Sequence, residues 1–146
     1  MHAFLQTRAF LTNYKTIWYK NFLPLTVGHV MIRDYRKVRL GNSHLRNQAS
    51  FINSNCRICR QCVTHKPETA HHFLLECPSY VSQRKSLLDK ISKIYAGHID
   101  EKLLLGFSPG FQSRSSIKKT HKLRKEIMQH VLKYFEDTER FNDIYS

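Results

Sequence analysis

The sequence predicts a mainly α fold, a small helical domain organised around a Cys-Cys-His-Cys zinc knuckle, with little or no sheet. Three observations lead there. Apolar residues recur at helical spacing in several stretches, nothing outside the cysteine-rich segment has convincing strand character, and all four cysteines lie between residues 56 and 77 with three of the nine histidines. The 146 residues suit one domain of ordinary size, or a small domain with appended helices, and 41% apolar content with few Gly and Pro supplies a core.

Taken in order, residues 1–52 form a basic helical segment. Phe4, Phe10, Leu11, Tyr14, Ile17 and Trp18 place a first helix over about residues 3–22, stopped near Pro24. A second, over 27–40, sets Met31, Tyr35 and Val38 against Arg33, Arg36, Lys37 and Arg39, and Gly41 is placed to end it. A short helix through Leu45 and Phe51 leads into the cysteines. Residues 53–96 hold the knuckle and a following helix, in which Val81, Leu87, Leu88, Ile91, Ile94 and Tyr95 share a face up to Gly97. Residues 97–146 comprise a loop around Pro109 and Gly110, then a basic helix with Leu123, Ile127, Val131 and Phe135 in an i, i+4 stripe.

Charge points to the class of partner. Lys plus Arg outnumber Asp plus Glu by 24 to 11, a net charge of +13, which suits a polyanion. No apolar run reaches the ~18 residues of a spanning helix, so no membrane partner is expected. With no secretory signal pattern, an intracellular setting, nuclear or cytoplasmic, is expected, and there metal binding is a better use of crowded cysteines than disulfides.

Zn²⁺ takes four tetrahedral ligands drawn from thiolate and imidazole, and a Cys-x2-Cys turn presents two thiolates to one point. Cys56 and Cys59 have that spacing, and with His72 and Cys77 they make C-x2-C-x12-H-x4-C. Cys59 and Cys62 have it too, giving C-x2-C-x9-H-x4-C. The longer loop is closer to finger spacing and favours Cys56, with Cys62 as the alternative. Thr69 is placed to cap a short helix carrying His72. Five positions along an ideal helix turn a side chain about 140° from its starting face, so Cys77 reaches the same ion only if the helix ends first, and Pro78 disfavours α conformation at Cys77. His65 and His71 are the less suited imidazoles. Glu68, the carboxylate just before this helix, reads as a supporting acceptor or a helix N-terminal charge.

The segment CRICRQCVTHKPETAHHFLLECPSYVSQRKSLL resembles the zinc-binding segment at the C-terminal end of reverse transcriptases of non-LTR retrotransposons. The shared features are the Cys pair, then Glu68, Thr69, His72, Phe73, Leu74, Leu75, Cys77, Pro78, Tyr80 and Arg84. RLGNSHL, residues 39–45, is similar to the stretch preceding that segment, with Asn42 in place of the usual His, and VLKYFEDTERF is similar to the final helix. The family's link between the second Cys and Glu-Thr is usually shorter than the one from Cys59. The resemblance implies a non-catalytic zinc-binding part of such a polyprotein, holding RNA or target DNA, with a polymerase module or other protein as a further partner. Arg36, Lys37, Arg39, Arg57, Arg60, Lys118, Lys119, Lys122 and Arg124 are the candidate phosphate contacts, and Tyr80, Phe73 or His71 the candidates for base stacking. The chain has no adjacent Asp pair to hold Mg²⁺ for polymerisation. A zinc-stapled protein-interaction module and an inactive transposon remnant are the alternative readings.

Overall fold

The computed structural model describes residues 29–108 and 117–142. The expected first helix, over about residues 3–22, lies outside them. Among the described residues four α-helices follow one another: α1 (His29–Leu40), α2 (Val81–Ser92), α3 (Glu101–Leu104) and α4 (Ile117–Thr138). The only strand-like feature among them is one antiparallel bridge, between Ile58 and Pro67. The mainly α expectation holds. No described helix is long and apolar enough to cross a membrane.

α1 stops at Gly41, as its sequence predicts. Gly41 takes φ +75°, and the amides of Gly41 and Asn42 bond back to the carbonyls of Val38 and Lys37 at 3.1 and 3.0 Å. This Schellman closure needs a left-handed residue that glycine supplies without a Cβ clash. Gly106 (φ +78°) ends α3 in the same way. α3 itself interrupts a stretch expected to be loop. Asp100 caps it by accepting from the amide of Leu103 at 2.8 Å, and Leu103, Leu104 and Leu105 are buried. Two expectations need correction. The stretch through Leu45 and Phe51 is a series of turns, not a helix, and regular α2 ends at Ser92 rather than running to Gly97.

α4 is the spine of the molecule, packed on α1, α2 and α3. Its stripe of Ile127, Val131 and Phe135 is buried as expected, with Met128, Leu132 and Tyr134 beside it. The core joins α4 to the cysteine segment through aromatic rings. Phe73 is fully buried and lies 5.3 Å from the rings of Tyr134 and Phe135, 5.5 Å from Tyr80 and 5.6 Å from Phe141. Edge-to-face and tilted contacts of this kind add to area burial. On the other side of the same core, the Tyr35 hydroxyl of α1 donates to the Leu104 carbonyl at 3.2 Å.

Candidate metal centre

A narrow reversal of the chain sets the first half of the site. Around the Ile58–Pro67 bridge, the Cys59 amide donates to the Lys66 carbonyl at 2.8 Å and the Glu68 amide to the Arg57 carbonyl at 3.0 Å. His65 turns the chain in left-handed conformation, φ +56°, which His adopts more readily than most residues with a Cβ. The knuckle therefore spans Cys59 to Lys66, with Cys59 at its base and Cys62 inside it. The Ser79 hydroxyl donates to the Gln61 carbonyl and ties the knuckle to the turn beyond Cys77.

A widened helical turn sets the second half. Thr69 caps it as expected, its hydroxyl accepting from the His72 amide at 3.0 Å. Phe73 still bonds to Thr69 in the α pattern, but the Cys77 amide bonds to the His72 carbonyl at 2.7 Å, five residues back. His72–Glu76 is thus a π-type turn, and the extra residue carries Cys77 onto the side that His72 occupies. Cys77 then leaves the helix at φ −57°, ψ 121°, immediately before Pro78. The π bond also frees the Phe73 carbonyl, which accepts from the buried Tyr134 hydroxyl at 2.6 Å. Arg84 of α2 reaches back to the Cys77 carbonyl at 2.8 Å.

These two halves bring Cys59, Cys62, His72 and Cys77 together, with one ligand atom of each within 4.8 Å of all the others. Cys59 Sγ lies 4.0 Å from Cys77 Sγ, and Cys62 Sγ lies 3.4 Å from His72 Nε2. A tetrahedral ion with bonds of about 2.0 Å to nitrogen and 2.3 Å to sulfur spaces its ligand atoms roughly 3.5–3.8 Å apart. The group is close enough to hold a metal ion. The preferred pairing of Cys56 with Cys59 is corrected. Cys56 lies before the bridge, exposed at the end of the short Ser54–Cys56 turn, and the alternative pair, Cys59 with Cys62, is the one assembled. Spacing alone favours the longer loop, but the bridge reverses the chain after Cys59, not before it.

Burial governs the thiols. It pushes Cys59 up to about 12 and also raises Cys77. Cys62 is less enclosed. There the burial effect is outweighed by hydrogen bonds from Thr64 and His72, and its thiol is held at about 6. His72 is 2% exposed, and its second nitrogen, Nδ1, lies 3.5 Å from Glu76 Oε2. That nitrogen is buried without a hydrogen-bond partner, so Glu76 is the carboxylate placed to orient the ring from the side away from the cysteines. Glu76 is held below the usual carboxylate range, chiefly by its hydrogen bond from Lys66 at 3.3 Å. His71, exposed, sits between Glu76 and Glu101 at 3.5 and 3.7 Å, and is not in the ligand group.

Glu68 has a larger role than sequence indicates. It is 1% exposed and receives Arg140 at 2.6 Å on one oxygen and 2.8 Å on the other. The Arg46 amide donates to it at 2.8 Å, and Arg140 also reaches the His44 carbonyl at 3.2 Å. One buried carboxylate therefore joins the loop before the knuckle, the knuckle, and the chain after α4. Nothing local signals Arg140 as its partner, because 72 positions separate them.

The candidate phosphate contacts divide by exposure. Arg60, Lys118, Lys119 and Lys122 are exposed, and Arg36, Lys37 and Arg57 are half-buried. Arg39 and Arg124 are 7% exposed each, and the Arg39 guanidinium lies over the Phe107 ring at 4.4 Å. Those two are part of the packing. Tyr80 and Phe73 are core residues, so of the three stacking candidates only His71 is at the surface. Comparison with family models, curated proteins and solved structures returns no match.

Proposed function

We propose that the chain is a non-catalytic zinc-binding domain that holds RNA or DNA through a basic surface, in the manner of the C-terminal zinc segment of non-LTR retrotransposon reverse transcriptases. The observation that carries it is the convergence of three sulfurs and one imidazole nitrogen within 4.8 Å. Three thiols and an imidazole, enough to fill all four positions of a tetrahedral ion, suit structural zinc, since a catalytic site would keep a position open. When bound, zinc would supply a crosslink between the knuckle and the π turn, and no reaction step is assigned to it. The pair that assembles supports the resemblance: with Cys62 as the second cysteine, only residues 63–67 separate it from Glu68 and Thr69, nearer to the shorter link that the family usually has. The net charge of +13 and the exposed Arg60, Lys118, Lys119 and Lys122 suit phosphate contacts.

Metal content of the purified protein tests the first half. One zinc per chain is expected, retained in Cys56→Ser and lost in Cys62→Ser and His72→Ala. Zinc retained by Cys62→Ser and lost from Cys56→Ser would overturn the assignment. Titration with RNA and DNA at two salt concentrations tests the second half. A flat salt response, or no binding, would leave the protein-interaction reading as the better one.

A further inference from the structure

Phe51 stands out on the surface of the domain. Its ring is 72% exposed, although its loop is well fixed. Leu45 and Ala49 are buried, the Ala49 amide bonds to the Leu45 carbonyl at 2.9 Å, and Ile52 and Cys56 bond back to Ala49 and Asn53 at 3.2 and 2.9 Å. A phenylalanine displayed on a hydrogen-bonded turn forgoes the stabilisation that burial would return, and a single exposed ring needs no special reason on its own. Here its neighbours supply one. The His44 ring lies 5.8 Å away at an interplanar angle of 54°. The Arg46 side chain is pinned beside the loop, its Nε donating to the Cys56 carbonyl at 2.8 Å, which leaves its terminal amino groups for another acceptor. An exposed aromatic face on a hydrogen-bonded loop that also carries a histidine ring against it and an anchored arginine suits a flat, π-faced anionic polymer better than an apolar partner.

We propose that Phe51 is a stacking platform for an unpaired nucleobase, with Arg46 of the same loop for an adjoining phosphate, so that the domain prefers single strands to duplex. This rests on the nucleic-acid reading above and deepens it by naming the form of the ligand. A duplex hides its base faces in its own stack and offers Phe51 nothing, whereas phosphate contacts by the exposed lysines of α4 are indifferent to strandedness. Glu68 and Arg140 set the position of this platform, because they hold the His44 carbonyl and the Arg46 amide.

The test uses zinc-loaded full chain with single-stranded and duplex RNA of equal length, and the corresponding DNAs, which separate the two sources of base. Phe51→Ala is expected to weaken single-strand binding by between about fivefold and a hundredfold, the range for loss of one stacked base. Duplex binding, zinc content and thermal midpoint should stay unchanged. Phe51→Trp should restore single-strand binding and Phe51→Leu should not, which distinguishes stacking from apolar bulk. A 2-aminopurine placed in the strand should be quenched by the unmodified protein and less so by Phe51→Ala. Salt-dependent binding that is equal for Phe51→Ala and the unmodified protein overturns the platform and leaves the nucleic-acid reading standing. Absence of binding to any of the four nucleic acids overturns both.

Discussion

Glu68 and Arg140 show how one pair of side chains can matter more than their separation in sequence suggests. A buried carboxylate that loses its guanidinium keeps its desolvation cost without its compensation. Arg140→Met is accordingly expected to cost about 3–5 kcal/mol of unfolding free energy. The double change Glu68→Gln with Arg140→Met should cost less than the single one, since no charge is then stranded. Urea denaturation of the zinc-loaded protein measures both; a single variant within roughly 1 kcal/mol of the parent, the worth of an exposed pair, would show that Glu68 is hydrated instead. The same scale explains which cysteine joins the candidate group. Cys56 and Cys62 are chemically identical and equally spaced from Cys59, so only the backbone reversal at His65 and the Ile58–Pro67 bridge distinguishes them.

Among the elements, the π turn connects the metal centre to the core. Widening the helix by one residue aligns Cys77 with His72 and frees the Phe73 carbonyl, and Tyr134 of α4 takes up that carbonyl. Tyr134→Phe keeps the ring and removes the donor, leaving a buried carbonyl unsatisfied. A loss of about 1–3 kcal/mol is expected with zinc stoichiometry unchanged, read by parallel unfolding and metal analysis; no loss of stability would mean that the carbonyl finds another partner. Most of the elements are legible in the sequence. Gly41, Thr69, Pro78 and the Ile127–Val131–Phe135 stripe each act as their local chemistry dictates. α3 escapes a search for long apolar periodicity, although Asp100 before a leucine run and Gly106 after it form a readable cap and stop. The turns around Phe51 imitate a helix in their apolar spacing, but Leu45 and Ala49 are buried by tertiary packing, not along a helical face.

At the scale of the whole molecule, metal, protons and salt are linked. Before metal binds, burial keeps Cys59 at about 12 and raises Cys77, so both are protonated near neutral pH, while Cys62 at about 6 is mostly thiolate. Ligation needs all three as thiolates. Zinc uptake at pH 7 is therefore expected to release about two protons, and affinity should fall as pH falls, more steeply below the Cys62 value where a third proton competes. Calorimetry in two buffers of different ionisation enthalpy counts the protons; release of none would contradict ligation by the buried thiols, and release of three would contradict the lowered value of Cys62. For the basic surface, the triple change Lys118→Ala, Lys119→Ala, Lys122→Ala should weaken RNA and DNA binding without changing zinc content. It should also reduce the slope of log affinity against log salt by roughly one for each phosphate no longer neutralised. An unchanged slope would place the phosphate-binding groups elsewhere.

By itself the sequence determined the helical class, the apolar stripe of α4, the positive charge and the short list of five residues from which the four members of the candidate metal site are drawn. These follow from periodicity, composition and residue chemistry, which are local properties. Tertiary structure alone decided which cysteine pair converges, which basic residues are packed away, and that Arg140 closes on Glu68. The physical reason is that a donor's usefulness depends on where chain reversal and burial put it, and neither is fixed by the distance between residues along the chain.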